Sequence, residues 1–251
     1  GRPAFPCNVC INEVAAHYSS PPGDEKTIPR DALVKIDLGV HVDGYIADTA
    51  TTVSLKSGYD GMVFAVEKAL MQVIGAIRPS VKTTQLGEIV QRSIEQFGFK
   101  PIWNLSGHQM ERYVLHTGKS IPNVPRFAMS KINEGEVFAV EPFLTMSSGS
   151  GEVSSLKEAY IFRYHRSRPT RDQNVQKLLG MIREEFHSLP FSQRWLKGFL
   201  PHEELSHAFA ELLSNRSISA YPVLVEKNER AVAQAEHTVI VTEDGCLITT
   251  L

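Results

Sequence analysis

The chain has 251 residues, 42% of them hydrophobic and 22% charged, with 26 Lys and Arg against 28 Asp and Glu. That balance speaks against nucleic acid as the main ligand and against disorder as the dominant state, and the length suits one large domain or two smaller ones. No apolar run reaches membrane-spanning length, no secretory signal is visible, and three scattered cysteines (Cys7, Cys10, Cys246) fit a reducing, cytoplasmic setting better than a disulfide scaffold.

Residues 1–56 read as strands and turns, with Pro21-Pro22-Gly23-Asp24 as a turn cluster and strands over 33–39 and 45–55. Helical spacing of apolar residues predicts a helix over 59–77 (Met62, Val63, Val66, Leu70, Val73, Ile74, Ile77) and another over 84–97 (Leu86, Ile89, Val90, Ile94, Phe97). A second strand-rich stretch covers 99–162. Residues 170–215 read helical again, with Asp172 or Asn174 as a cap. From Pro222 the chain is β, and its last strands flank the Glu243-Asp244-Gly245 turn.

A weak internal repeat organises these elements. The segment 1–8, ending Pro6-Cys7-Asn8, is echoed by 98–104, with Pro101-Ile102-Trp103-Asn104. Each copy leads through a histidine-bearing stretch to an apolar strand holding a carboxylate, Asp37 in the first half and Glu141 in the second. Two amphipathic helices precede the second copy, so symmetry predicts a pair ahead of the first.

Within residues 36–53, a two-residue loop at Asp43-Gly44 makes Val42 face Tyr45 and Gly39 face Asp48. Asp37 and Asp48 then lie diagonally on one sheet face, roughly 7 to 8 Å apart between backbones, with Gly39 leaving room for both. The plain alternative is an exposed Asp48, but carboxylates are disfavoured in strand interiors. His108, Glu141 and Glu236 also lie in strand-like sequence, where a buried carboxylate must be paired or metal-bound. Four carboxylates and one imidazole balance two divalent cations, and ligation without thiolate suits Mn, Fe, Co or Zn.

The segments 3–18, 35–53, 104–123, 134–143, 189–196, 220–224 and 233–241 together resemble type 2 methionine aminopeptidases of the archaeal form, over essentially the whole chain. The resemblance implies an α+β fold of the pseudo-two-fold "pita-bread" kind. It divides the chain into a catalytic domain of 1–165 and 220–251 and a helical insertion of 166–219. It maps the metal ligands onto Asp37, Asp48, His108, Glu141 and Glu236, with Asp48 and Glu236 bridging two ions, Asp37 chelating one, and His108 and Glu141 completing the other. It makes Glu141 the proton carrier, with His116 at the scissile amide and His17 at the oxyanion or the next peptide unit, two roles that could be exchanged. The methionine pocket would be Phe5, Phe143 and Tyr221 with the histidines. The implied substrate is the N-terminal methionine of nascent peptides whose second residue is small.

The same resemblance implies no membrane partner, a cytoplasmic setting, and a monomer unless a missing N-terminal segment completes it. The family carries about fifty residues ahead of the segment matching Gly1, and their absence would leave an apolar sheet face open. The chain is then a fragment, a processed product, half of a split protein, or a short variant compensated otherwise. Ala235 stands where the family usually has an aromatic residue. Two rivals share the fold: a proline-directed aminopeptidase or prolidase, and a non-catalytic ribosome-associated binding protein. Arg163, Arg166, Arg168 and Arg171 form a basic patch suited to transient contact with ribosomal RNA.

Other suggestive residues read as structural. Cys7 and Cys10 lie three apart on a strand, so they point to opposite faces and do not form a metal pair. His41, His165, His187, His202 and His207 read as surface residues, and His237 points away from the metal face.

Overall fold

The computed structural model describes residues 1–126 and 130–251. The first half opens with short strands β1 (Arg2–Pro3), β2 (Asn8–Ile11) and β3 (Val14–Ala16), followed by the long hairpin β4 (Leu33–Val42) and β5 (Tyr45–Ser54). Helices α1 (Asp60–Ile74) and α2 (Thr83–Glu95) come next. They lead into β6 (Lys100–Pro101), β7 (Ser106–Glu111), β8 (Val114–Pro122), β9 (Val137–Val140), β10 (Phe143–Thr145) and β11 (Val153–Tyr164). Helices α3 (Gln173–Phe186) and α4 (His202–Ser214) precede β12 (Ile218–Glu226), β13 (Val232–Gln234), β14 (His237–Val241) and β15 (Cys246–Ile248).

The β4–β5 hairpin has the expected register, Val42 opposite Tyr45 and Gly39 opposite Asp48. Asp43 and Gly44 both adopt positive φ, 50° and 87°, the backbone of a type I′ turn. On the other edge, β4 pairs with β1 and β2, while β7, β8, β9, β14 and β15 form a second antiparallel sheet in the order β15-β14-β9-β7-β8. Helices α1 and α2 cover one face of that second sheet. Met62, Val66, Leu70, Leu86, Val90 and Ile94 pack there with Phe138, Val140 and Val239. The corresponding outer face of the first sheet is open, with Leu38, Val40, Val42, Tyr45 and Val53 exposed.

The segment following β11 forms its own apolar cluster, in which Val175, Leu178 and Ile182 of α3 meet Leu205, Phe209 and Leu212 of α4 over Phe162 and Ile218. Asp172 caps α3, accepting from Asn174 N at 2.7 Å and Val175 N at 3.2 Å. Ala235 is buried in the core cluster of α1 and α2. His41 is also buried rather than superficial. Its Nδ1 accepts from Gly44 N at 3.1 Å and its ring meets Tyr113 edge-on, because the hairpin turn folds back over it.

The halves are joined along a seam between β5 and the stretch linking β13 to β14. Ala50 bridges Glu236, with Glu236 N donating to Ala50 O at 2.9 Å. On one side of that bridge the Thr238 hydroxyl donates to Asp48 O and accepts from Asp48 N, at 2.8 and 2.7 Å. Nearby, the buried Lys35 ammonium donates to Asn12 O and Val232 O, both at 2.8 Å, and burial pushes its pKa down to about 8. None of the described helices is long and apolar enough to cross a membrane.

Candidate metal centre

One cavity, walled by the two sheets together with β10 and the β11–β12 pair, is lined by the ligands expected from the sequence, Asp37, Asp48, His108, Glu141 and Glu236, and by the expected walls Phe5, His17, His116, Phe143 and Tyr221. Different elements deliver each donor. Asp37 and Asp48 come from the hairpin, His108 from β7, Glu141 from just after β9, and Glu236 from the seam. Gly107 makes the approach of His108 possible, since a Cβ there would stand 2.4 Å from Ala139 O. The room expected at Gly39 is used differently. A Cβ at Gly39 would lie 2.2 Å from Phe5 Cε1, so the space opposite Asp48 holds the Phe5 ring rather than carboxylates.

His108 Nε2 stands 3.4 Å from Glu141 Oε1 and 3.8 Å from Asp48 Oδ2. Donor atoms of Asp48, His108 and Glu236 lie within 4.8 Å of one another, and all three residues are buried. Burial raises the Asp37 carboxyl to about 7 and lifts Asp48, Glu141 and Glu236 well above the usual carboxylate range, their mutual repulsion adding to the effect. Burial lowers His108 to about 4, which makes it the neutral imidazole a metal requires. Asp37 Oδ1, Asp48 Oδ1 and His108 Nδ1 are buried without hydrogen-bond partners. A crowd of repelling carboxylates with bare oxygens, beside a neutral imidazole, is what a cationic site looks like before its charge is counted, so the donor set fits divalent metal.

The walls are aromatic and basic. His17 has a positive φ of 67° just after β3, which aims its ring at Tyr221, edge to face at 5.4 Å between centroids. Its Nδ1 lies 3.1 Å from Pro222 O, an atom that only accepts, so Nδ1 carries the proton and Nε2 is bare. Burial holds the ring below the usual imidazole pKa and keeps it neutral. The ring of His116, open at the cavity mouth, lies 4.2 Å from that of His108. The packed walls around it, then the neighbouring His108, His17 and Arg163, push its pKa well below the usual value. Pro190, from the segment 189–196, closes one side.

Some residues here went unassigned in the sequence. Gln234 is buried with its Nε2 3.4 Å from Glu141 Oε2 and 3.3 Å from Glu236 Oε2. The signal was present, because Gln234 and Glu236 lie two apart and a polar residue interrupts an apolar strand. Arg163 belongs here rather than to a surface basic patch: its guanidinium stands 5.8 Å over the Tyr221 ring, while Arg166, Arg168 and Arg171 are exposed. His237 is structural, 2.9 Å from Thr250 Oγ1. A second donor group, Asp172, His207 and Glu211, is partly exposed, with Asp172 spent on capping α3 and Glu211 accepting from Thr170 Oγ1.

The chain is 48% identical to the methionine aminopeptidase of Methanothermobacter thermautotrophicus and 47% identical to that of Thermococcus onnurineus, in each case over 100% of this chain and 84% of the relative. Among solved structures, a thermophilic Arx1 superposes with a TM-score of 0.80 at 16% identity, over 98% of this chain and 75% of that one. Methionine aminopeptidase from Rickettsia prowazekii gives 0.66 at 21%, over 98% and 73%. The prolidase of Pyrococcus furiosus gives 0.56 at 17%, over 99% and 50%. These likenesses establish the pita-bread fold. Residues 1–243 match the description of metallopeptidase family M24, and with these relatives and this donor set the chain belongs to that family.

Proposed function

We propose that the chain is a methionine aminopeptidase that removes the N-terminal methionine from nascent chains when the second residue is small. The observation that carries the reading is the convergence of four carboxylates and a neutral imidazole on the floor of a cavity walled by Phe5, Phe143 and Tyr221. Two divalent ions held by Asp37, Asp48, His108, Glu141 and Glu236 would supply an acidified water and polarise the scissile carbonyl. Glu141 then takes the proton of the attacking water and returns it to the departing amine. An unbranched thioether packs well among the aromatic walls, gaining sulfur–aromatic contact.

The tautomer of His17 favours one division of the two histidine roles. With Nδ1–H committed to Pro222 O, the bare Nε2 accepts, and an acceptor cannot steady a developing oxyanion. His17 therefore receives a peptide N–H beyond the scissile bond, and His116 donates to the carbonyl oxygen. The same reading places the protein in the cytoplasm, with the exposed Arg166, Arg168 and Arg171 as a strip for transient contact with ribosomal RNA.

A peptide panel tests the specificity. Met-Gly and Met-Ala peptides are expected to lose methionine, and Met-Leu peptides to resist. Strong cleavage of Xaa-Pro peptides with no release from Met-Gly or Met-Ala overturns the reading in favour of a proline-directed peptidase. Bound metal without turnover on any of them favours a binding protein.

A further inference from the structure

Asn8, on β2, lies directly opposite Asp37 on β4, is only 3% exposed, and lines the cavity. Its amide orientation follows from its neighbour. Nδ2 stands 3.1 Å from Pro6 O, which only accepts, so the NH₂ group is turned to Pro6 and Oδ1 is turned away. That Oδ1 is buried and has no hydrogen-bond partner, a costly state for a carbonyl oxygen.

The fold does not demand such a vacancy. Asn104, the residue that echoes Asn8 in the second copy of the sequence repeat, lies in the turn before β7 and also lines the cavity. Both of its amide atoms are paired, Nδ2 donating to Val153 O at 2.8 Å and Oδ1 accepting from Val153 N at 2.9 Å. One asparagine closes its loop completely, whereas the other keeps an acceptor free beside Asp37.

We propose that Asn8 Oδ1 accepts a hydrogen bond from the free α-amino group of the substrate. The inference rests on the aminopeptidase reading and gives it a residue that recognises the chain terminus. An enzyme confined to the first residue must distinguish a free amine from an internal or blocked amide nitrogen. An α-amine offers several N–H donors and needs acceptors around it. Asp37 contributes charge at this end of the cavity, and Asn8 contributes a directional acceptor held in place by the Pro6 contact. An acylated nitrogen has a single N–H and added bulk, and a desamino analogue has no donor at that position.

The test compares methioninamide with its desamino analogue, 4-(methylthio)butanamide. Binding of each to the metal-loaded full chain is measured by calorimetry for the wild type, Asn8→Ala and Asn8→Ser, with the metal content of every sample determined. The wild type is expected to prefer methioninamide. Asn8→Ala should cut that preference about tenfold or more by weakening methioninamide alone, with affinity for the analogue and metal content unchanged. Asn8→Ser, which retains a shorter acceptor and makes a gentler change to the fold, should fall between. Full amine preference in both variants overturns the proposal. So does a parallel loss of both ligands and metal, which would make Asn8 a support for the ligands of the metal. The failures remain distinguishable, because a wild type that releases no methionine from Met-Ala overturns the specificity reading, whereas preserved amine preference in the Asn8 variants overturns this inference alone.

Discussion

Thr52 and Gln234 exchange two hydrogen bonds through one hydroxyl: Thr52 Oγ1 donates to Gln234 O at 2.6 Å and accepts from Gln234 N at 2.9 Å. With the matching exchange between Thr238 and Asp48, this brackets the Ala50–Glu236 bridge and holds two carboxylates of the proposed ligand set, Asp48 and Glu236, on opposite sides of the seam. Thr52→Val keeps the shape but strands a buried N–H and a buried C=O, at a cost of about 2 to 4 kcal/mol. Calorimetry should show a Tm lower by roughly 5 to 15 °C, with Thr52→Ser close to wild type. An unchanged Tm for the valine variant would mean that the seam does not depend on this hydroxyl.

Gly39→Ala acts on the other side of the cavity. The new Cβ meets the Phe5 ring, which must shift within a packed wall. Overpacking of this kind is expected to lower kcat/KM for Met-Ala peptides roughly tenfold, mostly through KM. Metal content should stay at the wild-type level, because no donor atom is touched.

The ligand set predicts a sharp contrast. His108→Ala and Glu236→Ala should abolish turnover, as should removal of divalent metal with a chelator. Cys10→Ser should leave it nearly intact, since Cys10 is a buried thiol whose pKa burial pushes up to about 12, leaving it neutral and uninvolved. Turnover in a Glu236→Ala variant with metal bound would remove Glu236 from the set.

Much of this centre was legible in the chain. Asp43-Gly44 fixed the hairpin register, and register alone brought Asp37 and Asp48 to one face. Carboxylates embedded in apolar sequence at 141 and 236 had to be compensated, and the cavity gathers them. What stayed hidden depended on contacts between distant segments. Periodicity reports which way a side chain faces, but not that Gln234 reaches Glu141 or that a turn closes over His41. The role of Gly39 was read too simply because the neighbour that fills its space, Phe5, lies on another segment.

Glu226 gives a pH dependence away from the centre. Burial alone would raise its pKa, but Ser150 Oγ and the backbone N–H groups of Arg230, Asn228 and Ser150 outweigh that and hold it below the usual carboxylate value. A depressed folded-state pKa stabilises the native state fully above the ordinary value of 4.5, and this contribution is lost as pH falls through the lower folded value. The wild type should therefore lose Tm steadily below about pH 4.5. Glu226→Gln should melt lower at pH 7 and show a flatter acid limb, and parallel limbs in the two proteins would exclude Glu226 as a source.

In the 251-residue chain, the exposed face of the first sheet bears on how its copies meet. Leu38, Val40, Val42, Tyr45 and Val53 make a side-chain row that water wets poorly, so two molecules attract whenever these faces approach, whatever the state of the cavity. Light scattering should give a negative second virial coefficient at moderate salt. Val40→Glu with Val42→Glu, which also moves the formal net charge from −2 to −4, should turn it positive without altering turnover, making colloidal behaviour and catalysis separable properties of opposite faces of the same hairpin.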